Sequence, residues 1–277
     1  MPSARARLLY VTDLAYPARG RRYCDEDIFL TSRLRDAFDL ALCHPRDAAA
    51  LLDGFDAVVT RNSGPVLYHQ DAHDAFRARA GVTGIPVYNP LTGRGDMAGK
   101  QYLLDLTAAG EAVIPTVDRA EDLPRLPRTE RYVVKPRRGA DSVGLRVVTA
   151  AEVPALADGE VLVQPLVDFV HEVSFYFVDD TFQYALYAPD PDRRWQLRPF
   201  RPSPDDLAFA RHFVGWNTLA HGIQRVDACR TRAGDLLLVE LEDHNPYLSL
   251  DALDDAGRDA FVAAMTTSLH RFLDAHR

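Results

Sequence analysis

The chain has 277 residues, enough for one large α/β unit or two small domains without disulfide staples. Hydrophobic residues make up 47% and charged residues 26%, which excludes a largely disordered or fibrous protein. With 32 Lys+Arg against 40 Asp+Glu the formal net charge is −8, the wrong sign for coating nucleic acid or anionic lipid, so neither nucleic acid nor membrane is expected as a partner.

The start, MPSARARLLYVTD, enters an apolar strand pattern with no long apolar leader, and no run of about 18 apolar residues occurs. A cytoplasmic location is the expectation. Cys24, Cys43 and Cys229 lie far apart with no CxxC pair, which predicts half-buried or buried thiols rather than disulfides or zinc ligands. His44, His69, His171, His221 and His244 show no metal spacing and read as surface or hydrogen-bonded side chains.

Strands are predicted at Arg7–Thr12, Leu40–Cys43, Ala57–Thr60 and Pro86–Tyr88, with helices at Glu26–Phe38, Arg46–Leu52 and Gln70–Ala80 between them. Ile28, Leu34 and Phe38 mark the apolar face of the first helix. This alternation is that of a Rossmann-like parallel sheet with crossover helices. No GxGxxG follows the first strand, which disfavours a nicotinamide dehydrogenase. Asn89–Lys100 (NPLTGRGDMAGK) reads as a linker, followed by a helix at Lys100–Ala109. Beyond it the strands take on antiparallel character: Tyr132–Lys135, Gly144–Val148, Glu160–Gln164, Glu172–Val178, Phe182–Tyr187, Gly222–Cys229 and Asp235–Glu242. Helices are expected at Pro204–Leu219 and Ala256–Ala275, the last with a core stripe of Phe261, Met265, Leu269 and Leu273, and Pro189–Pro204 as a long loop.

Three stretches could carry chemistry. In YVVKPRRGADSVGLRVV a strand ends at Lys135, and a loop of Gly139, Ala140, Asp141 and Ser142 leads into the next strand. Small residues let backbone amides approach an anion while a strand-borne lysine supplies fixed charge, as polyphosphate binding requires. In GIQRVDACRTRAGDLLLVELEDHNPYLSL, Arg225 and Asp227 lie on one strand and Glu240 and Glu242 share a face of its hairpin partner. Such carboxylates repel unless a divalent cation sits between them, and an oxygen-only set suits Mg²⁺ shared with phosphates. The alternative is a solvated acidic face with Arg225 as its ion-pair partner. In VLVQPLVDFVHEVS an apolar extended segment suits an adenine edge, and Glu172, one short loop later, suits ribose hydroxyls.

Taken in order, Asp96-x-x-x-Lys100, Val-Lys-Pro, Val-Gln-Pro, Glu-x-Ser, Arg-Val-Asp and Glu-x-Glu before Asn-Pro resemble the ATP-grasp superfamily over roughly residues 90–277. The phrasing is most similar to the small single-chain ligases that include D-cycloserine-forming enzymes and relatives of glutathione synthetase. The resemblance implies an α/β protein of ATP-grasp fold. An N-terminal Rossmann-like domain (1–92) would precede an ATP-grasp domain (93–277), whose two α+β subdomains, about 93–165 and 166–277, clamp ATP. The implied chemistry is carboxylate–amine ligation through an acyl phosphate, with ADP and phosphate released, using ATP and Mg²⁺, or Mn²⁺ in its place. Small acid and amine substrates are implied, with a homodimer as a family-level expectation.

Residue by residue, the resemblance puts Lys100 and Lys135 on the phosphates with Gly139–Ser142 over them. Gln164, Pro165, Leu166 and Val167 would surround adenine, with Glu172 at ribose. Asp227 and Glu240, with Glu242 or Asn245, would hold metal, and Arg225 would face the transferred phosphate. Loop residues of the first domain, Asp13, Tyr16, Tyr23, Arg61, Asn62 and Ser63, are expected near the acceptor, with Arg61, Arg198 and Arg201 as clamps for a substrate carboxylate. Ring closure within one substrate, amino-acid addition to a protein, and a non-catalytic nucleotide-binding module stay open as alternatives.

Overall fold

The computed structural model describes residues 5–18, 21–62, 66–137, 144–190, 193–244 and 246–277. Along the chain these form β1 (Arg7–Thr12), β2 (Pro17–Ala18), β3 (Arg21–Arg22), α1 (Cys24–Leu34), β4 (Asp39–Cys43), α2 (Pro45–Leu51), β5 (Ala57–Asn62), α3 (Val66–Thr83), β6 (Val87–Tyr88) and α4 (Tyr102–Ala108). Then come β7 (Val117–Arg119), β8 (Arg131–Pro136), β9 (Arg146–Thr149), β10 (Asp158–Pro165), β11 (Phe169–Val178), β12 (Thr181–Ala188), β13 (Arg198–Phe200), α5 (Pro204–Asn217), β14 (Ile223–Thr231), β15 (Leu236–Glu242) and α6 (Asp255–Ala275).

Three main sheets result. The first, ordered β4-β1-β5-β6, is parallel throughout, as the strand–helix alternation predicts. The second, β7-β10-β8-β9, and the third, β13-β12-β11-β14-β15, are antiparallel. Alternation along β1 divides the core: Leu9 and Val11 face α2 and α3, whereas Leu8 and Tyr10 face α1 and α6. The third sheet divides likewise. Tyr176 and Val178 of β11 join the α6 layer, and Phe175 and Phe177 pack on α4 and α5. The α6 layer is therefore shared by the first and third sheets, with Phe261, Met265, Leu269 and Leu273 all buried as expected.

Several expectations are corrected. Ile28 is 46% exposed and Phe38 lies beyond the end of α1, whose buried face is built on Asp27, Leu30, Thr31 and Leu34. Two of those four are polar, which a search for apolar period misses. The Pro189–Pro204 stretch contains β13, which pairs with β12 at Arg198↔Tyr187. Asn89–Lys100 is no loose linker. Asn89 is buried in a left-handed conformation (φ 59°), and its side chain bonds the Ile223 N–H and carbonyl and the Asp243 carbonyl. A Cβ on Gly95 would lie 2.6 Å from the Leu241 carbonyl oxygen, so only glycine permits this close approach to the end of β15.

Candidate active site

One face of the third sheet carries five of the residues singled out above, Glu172, Arg225, Asp227, Glu240 and Glu242. Arg225 and Asp227 are two apart on β14 and register with Glu242 and Glu240 of β15. A bulge sets that register. Ala228 pairs with Leu238 while Asp227 pairs with Glu240, so Val239 is the extra residue. Without it, Glu240 and Glu242 would continue the parity of Leu236 and Leu238 and point into the apolar layer. With it, Leu241 joins that layer and the two glutamates turn to the opposite face. Glu172 and Ser174 of β11 share this face, Ser174 opposite Asp227.

The acidic face is not solvated, and cationic side chains sit between its carboxylates. The Arg225 Nε and Nη2 donate to Asp227 at 2.9 and 2.7 Å, and Nη2 also donates to Glu242. Its Nη1 donates to the Tyr247 carbonyl at 2.8 Å. Lys100, just before α4, places its ammonium 2.5 Å from Glu240. Lys135, on β8 of the second sheet, is buried within the electrostatic reach of both Glu240 and Lys100. The second and third sheets thus present their charged residues to one another.

The electrostatics follow from burial. Lys135 is pulled down to about 8 by desolvation, with Lys100 adding and Glu240 opposing. Burial pushes Glu240 up, but Lys100, Lys135 and Arg225 outweigh it and hold its carboxyl below the usual value. Glu242 is driven well above the usual carboxylate range, because burial and the neighbouring Asp227 and Glu240 exceed the pull of Arg225. Asp96 is likewise raised by burial, although it accepts the backbone N–H groups of Asp243 and His244 at 2.7 and 2.8 Å. Hard oxygen donors crowded together in low dielectric, with Glu242 raised by burial and by its neighbouring carboxylates, are groups whose charged forms a divalent cation of the Mg²⁺ type would favour. Asp227, Glu240 and Glu242 could hold it, and Asn245, the alternative to Glu242, lies outside the described residues.

The remaining expected residues fall as follows. Gln164 is buried and donates to the Thr116 hydroxyl at 2.8 Å; Pro165 is buried, Val167 half-buried and Leu166 exposed. Glu172 is engaged bidentately by Arg194 at 2.5 and 2.6 Å, and burial raises its carboxyl. Arg198 and Arg201 are exposed on and after β13. Gly139, Ala140, Asp141, Ser142, Ser63 and Asn245 lie outside the described residues, as does the side chain of Asn62.

Arg61 is not a substrate clamp with a free guanidinium. It is 2% exposed, with Nε donating to Asp27 at 3.1 Å, Nη2 to Glu26 at 3.0 Å and Nη1 to the Pro246 carbonyl at 3.0 Å. Glu26 in turn accepts the Leu248 N–H at 2.8 Å, so this ion-pair group ties the first sheet to the segment after β15.

Sequence reasoning missed Asp243 and its partners. Asp243 accepts the N–H groups of Gly95 and Met97 and the Asn217 side-chain amide, and burial beside Asp96 raises it to about 7. Sequence reasoning named Asp13 as an acceptor-loop residue and His44 and His69 as surface or hydrogen-bonded side chains, but not their grouping: their polar atoms lie within 4.8 Å of one another although their sequence spacing shows nothing.

No protein-family model matches the chain, and no curated protein does either. Solved structures do. A D-cycloserine synthetase, DcsG, is 24% identical with a TM-score of 0.74, over 96% of this chain and 100% of that one. The chain has the ATP-grasp fold. Two more structures of that fold superpose over nearly the full length. One is the ATP-grasp ligase PsnB complexed with a minimal precursor variant, Mg and ADP (17% identity, TM-score 0.64, 96% of this chain and 99% of that one). The other is the D-alanine–D-alanine ligase of Bacillus anthracis complexed with ATP (14%, 0.65, 99% and 97%).

Proposed function

We propose that the protein is an ATP- and Mg²⁺-dependent ligase that activates a small carboxylate, most simply an amino acid, as an acyl phosphate for attack by an amine. The observation that carries this reading is the convergence of Lys100, Lys135 and Arg225 with Asp227, Glu240 and Glu242 across two facing sheets. In this layout residues 1–92 form a Rossmann-like domain, and subdomains 93–165 and 166–277 close on the nucleotide. Gln164–Val167 would lie along adenine and Glu172 at ribose, with Arg194 yielding the carboxylate when the sugar arrives.

A carboxylate and an ammonium do not condense at neutral pH, and an acyl phosphate supplies the missing leaving group. The chain's contribution is then positioning and charge neutralisation in a dry cleft. Lys135 and Lys100 hold phosphate oxygens. Arg225, kept cationic because Asp227 and Glu242 outweigh its burial, faces the charge that develops on the transferred group. Asp227 and Glu240, with Glu242 or Asn245, would hold a Mg²⁺, which would supply positive charge against that of the phosphates. PsnB is solved with a precursor peptide, which favours a peptide substrate as the second reading.

The test is nucleotide turnover with ATP and Mg²⁺ against pools of amino acids, small acids and peptides, resolving ADP, AMP and phosphate. Pool-dependent ADP and phosphate, abolished in Glu240→Ala, is the expected result, and mass spectrometry of the product separates linear amide, ring and modified peptide. AMP with pyrophosphate would overturn it, and so would ATP binding without turnover in every pool.

A further inference from the structure

Away from the nucleotide cleft, the loop ends of the first sheet gather titratable side chains that the reading above leaves unused. Asp13 follows β1, His44 caps α2, and His69 lies near the start of α3, where the helix is kinked at that residue (φ −130°, ψ 24°). Asp13 accepts the Ala15 and Tyr16 N–H groups at 2.9 and 3.0 Å and bonds His69 Nε2 at 2.8 Å, with His44 Nε2 at 3.7 Å. Burial raises Asp13, but these bonds and the two imidazoles outweigh it and hold the carboxyl below its ordinary value. An ionised carboxylate only accepts, so the His69 proton on this side is on Nε2. The other nitrogen, Nδ1, is buried without a hydrogen-bond partner among the described residues, on a side chain 9% exposed.

His44 makes a cation among these three groups a poor reading. Its Nδ1 accepts the Arg46 N–H at 3.2 Å, which puts its own proton on Nε2, facing Asp13 where a metal would need a lone pair. The arrangement is instead that of a carboxylate fixing an imidazole tautomer and leaving a lone pair on the far nitrogen.

This group adjoins the cleft by two routes. His73, one turn on along α3, packs edge-to-face on His244, directly after the acidic strand, at 4.9 Å between ring centroids. Tyr16 packs on Tyr23 and Tyr23 on Tyr247, whose carbonyl holds Arg225.

We propose that His69, oriented by Asp13, is the general base of the amide-forming half-reaction, an inference that rests on the ligase reading above. His69 Nδ1 takes one proton from the substrate ammonium, and the freed nitrogen pair forms the C–N bond at the acyl-phosphate carbonyl. As the C–O bond breaks, the second nitrogen proton leaves with the departing phosphate. Asp13 is a positioning residue. Among the described residues, the titratable groups in contact with the ring are Asp13 from the loop after β1 and His44 at the start of α2.

Hydroxylamine separates the two half-reactions, because it is largely uncharged at neutral pH and attacks an acyl phosphate without a base. Full-length protein with ATP, Mg²⁺ and a pool of L- and D-amino acids is assayed with and without hydroxylamine, and amide and hydroxamate are quantified. In His69→Gln the amide-to-hydroxamate ratio is expected to fall by about a hundredfold or more, the usual contribution of a general base. Asp13→Asn reverses the tautomer and is expected to lower the same ratio, although it keeps the side chain's size. Hydroxamate production in each variant reports a folded nucleotide site. An unchanged ratio, or equal loss of both products, overturns the proposal alone. Absence of hydroxamate with the wild-type protein overturns the underlying acyl-phosphate reading, and the proposal with it.

Discussion

Glu240 holds the Lys100 ammonium at 2.5 Å and lies within the electrostatic reach of Lys135, so one carboxylate couples the two cations proposed to meet phosphate. Glu240→Gln keeps the shape but removes that charge. Substrate-dependent phosphate release, followed by a coupled assay, is expected to fall by about a hundredfold or more. Lys135 makes a pH prediction. With its ammonium lost at about 8, the ATP affinity of the free protein falls as pH rises through that value, whereas in Lys135→Arg it stays level. Titration calorimetry on either side of the transition measures this. Stability moves the other way: the unfolded chain binds more protons between about 8 and 10.5, so this group makes folding more favourable as pH rises across that window. Unfolding at high pH therefore does not imitate the expected loss of affinity. Arg61→Ala removes the guanidinium that pairs the buried Asp27 and bonds Glu26, whose carboxyl burial already raises to about 8. The expected cost is about 3–5 kcal/mol, read from a denaturant midpoint.

At the scale of elements, the sequence announces the strands within a few residues because apolar alternation and turn residues bound them sharply. What it hides is the single-residue bulge at Val239, since Leu-Leu-Leu-Val-Glu-Leu-Glu reads as one uninterrupted strand. The facing of Glu240 and Glu242 depends on that bulge, so the pairing of these carboxylates with Arg225 and Asp227 was legible and the device that aims them was not. The Asn89–Lys100 segment was misread for a related reason. Its glycines look like flexibility, yet Gly95 is required by contact with the Leu241 carbonyl, a partner 146 positions away. Gly95→Ala is expected to destabilise the protein by about 1–3 kcal/mol and to weaken ATP binding, because backbone rather than a pliable side chain must give way. Thermal melts with and without nucleotide check both effects. β7 and β13 escaped notice because each is three residues long, too short for a period.

For the whole molecule, the cleft lies between separately built sheets with their own cores, so a ligand bridging them acts as a clamp. ATP with Mg²⁺ at a hundred times its dissociation constant is expected to add about 2.7 kcal/mol of stability. The accompanying rise in melting temperature should vanish in Lys100→Ala, which lacks one of the two lysines. Chain-distant partners such as Arg61 with Glu26 and Asp27, or Asp13 with His69, could not be inferred from local pattern, because folding rather than spacing makes them neighbours.

The layer shared by α6 bears on how the chain is made. Tyr88 closes the first sheet and donates its hydroxyl to Ser268 at 2.9 Å, across 180 positions of sequence. Ser268 in turn donates to Asp179 of the β11–β12 turn at 2.6 Å. During translation the first sheet therefore leaves the ribosome with Leu8, Tyr10 and Val59 uncovered, and must wait for the last helix to shelter them. A fragment ending at residue 92 is expected to aggregate when produced alone, and to be recovered in soluble form when residues 93–277 are supplied in the same cell.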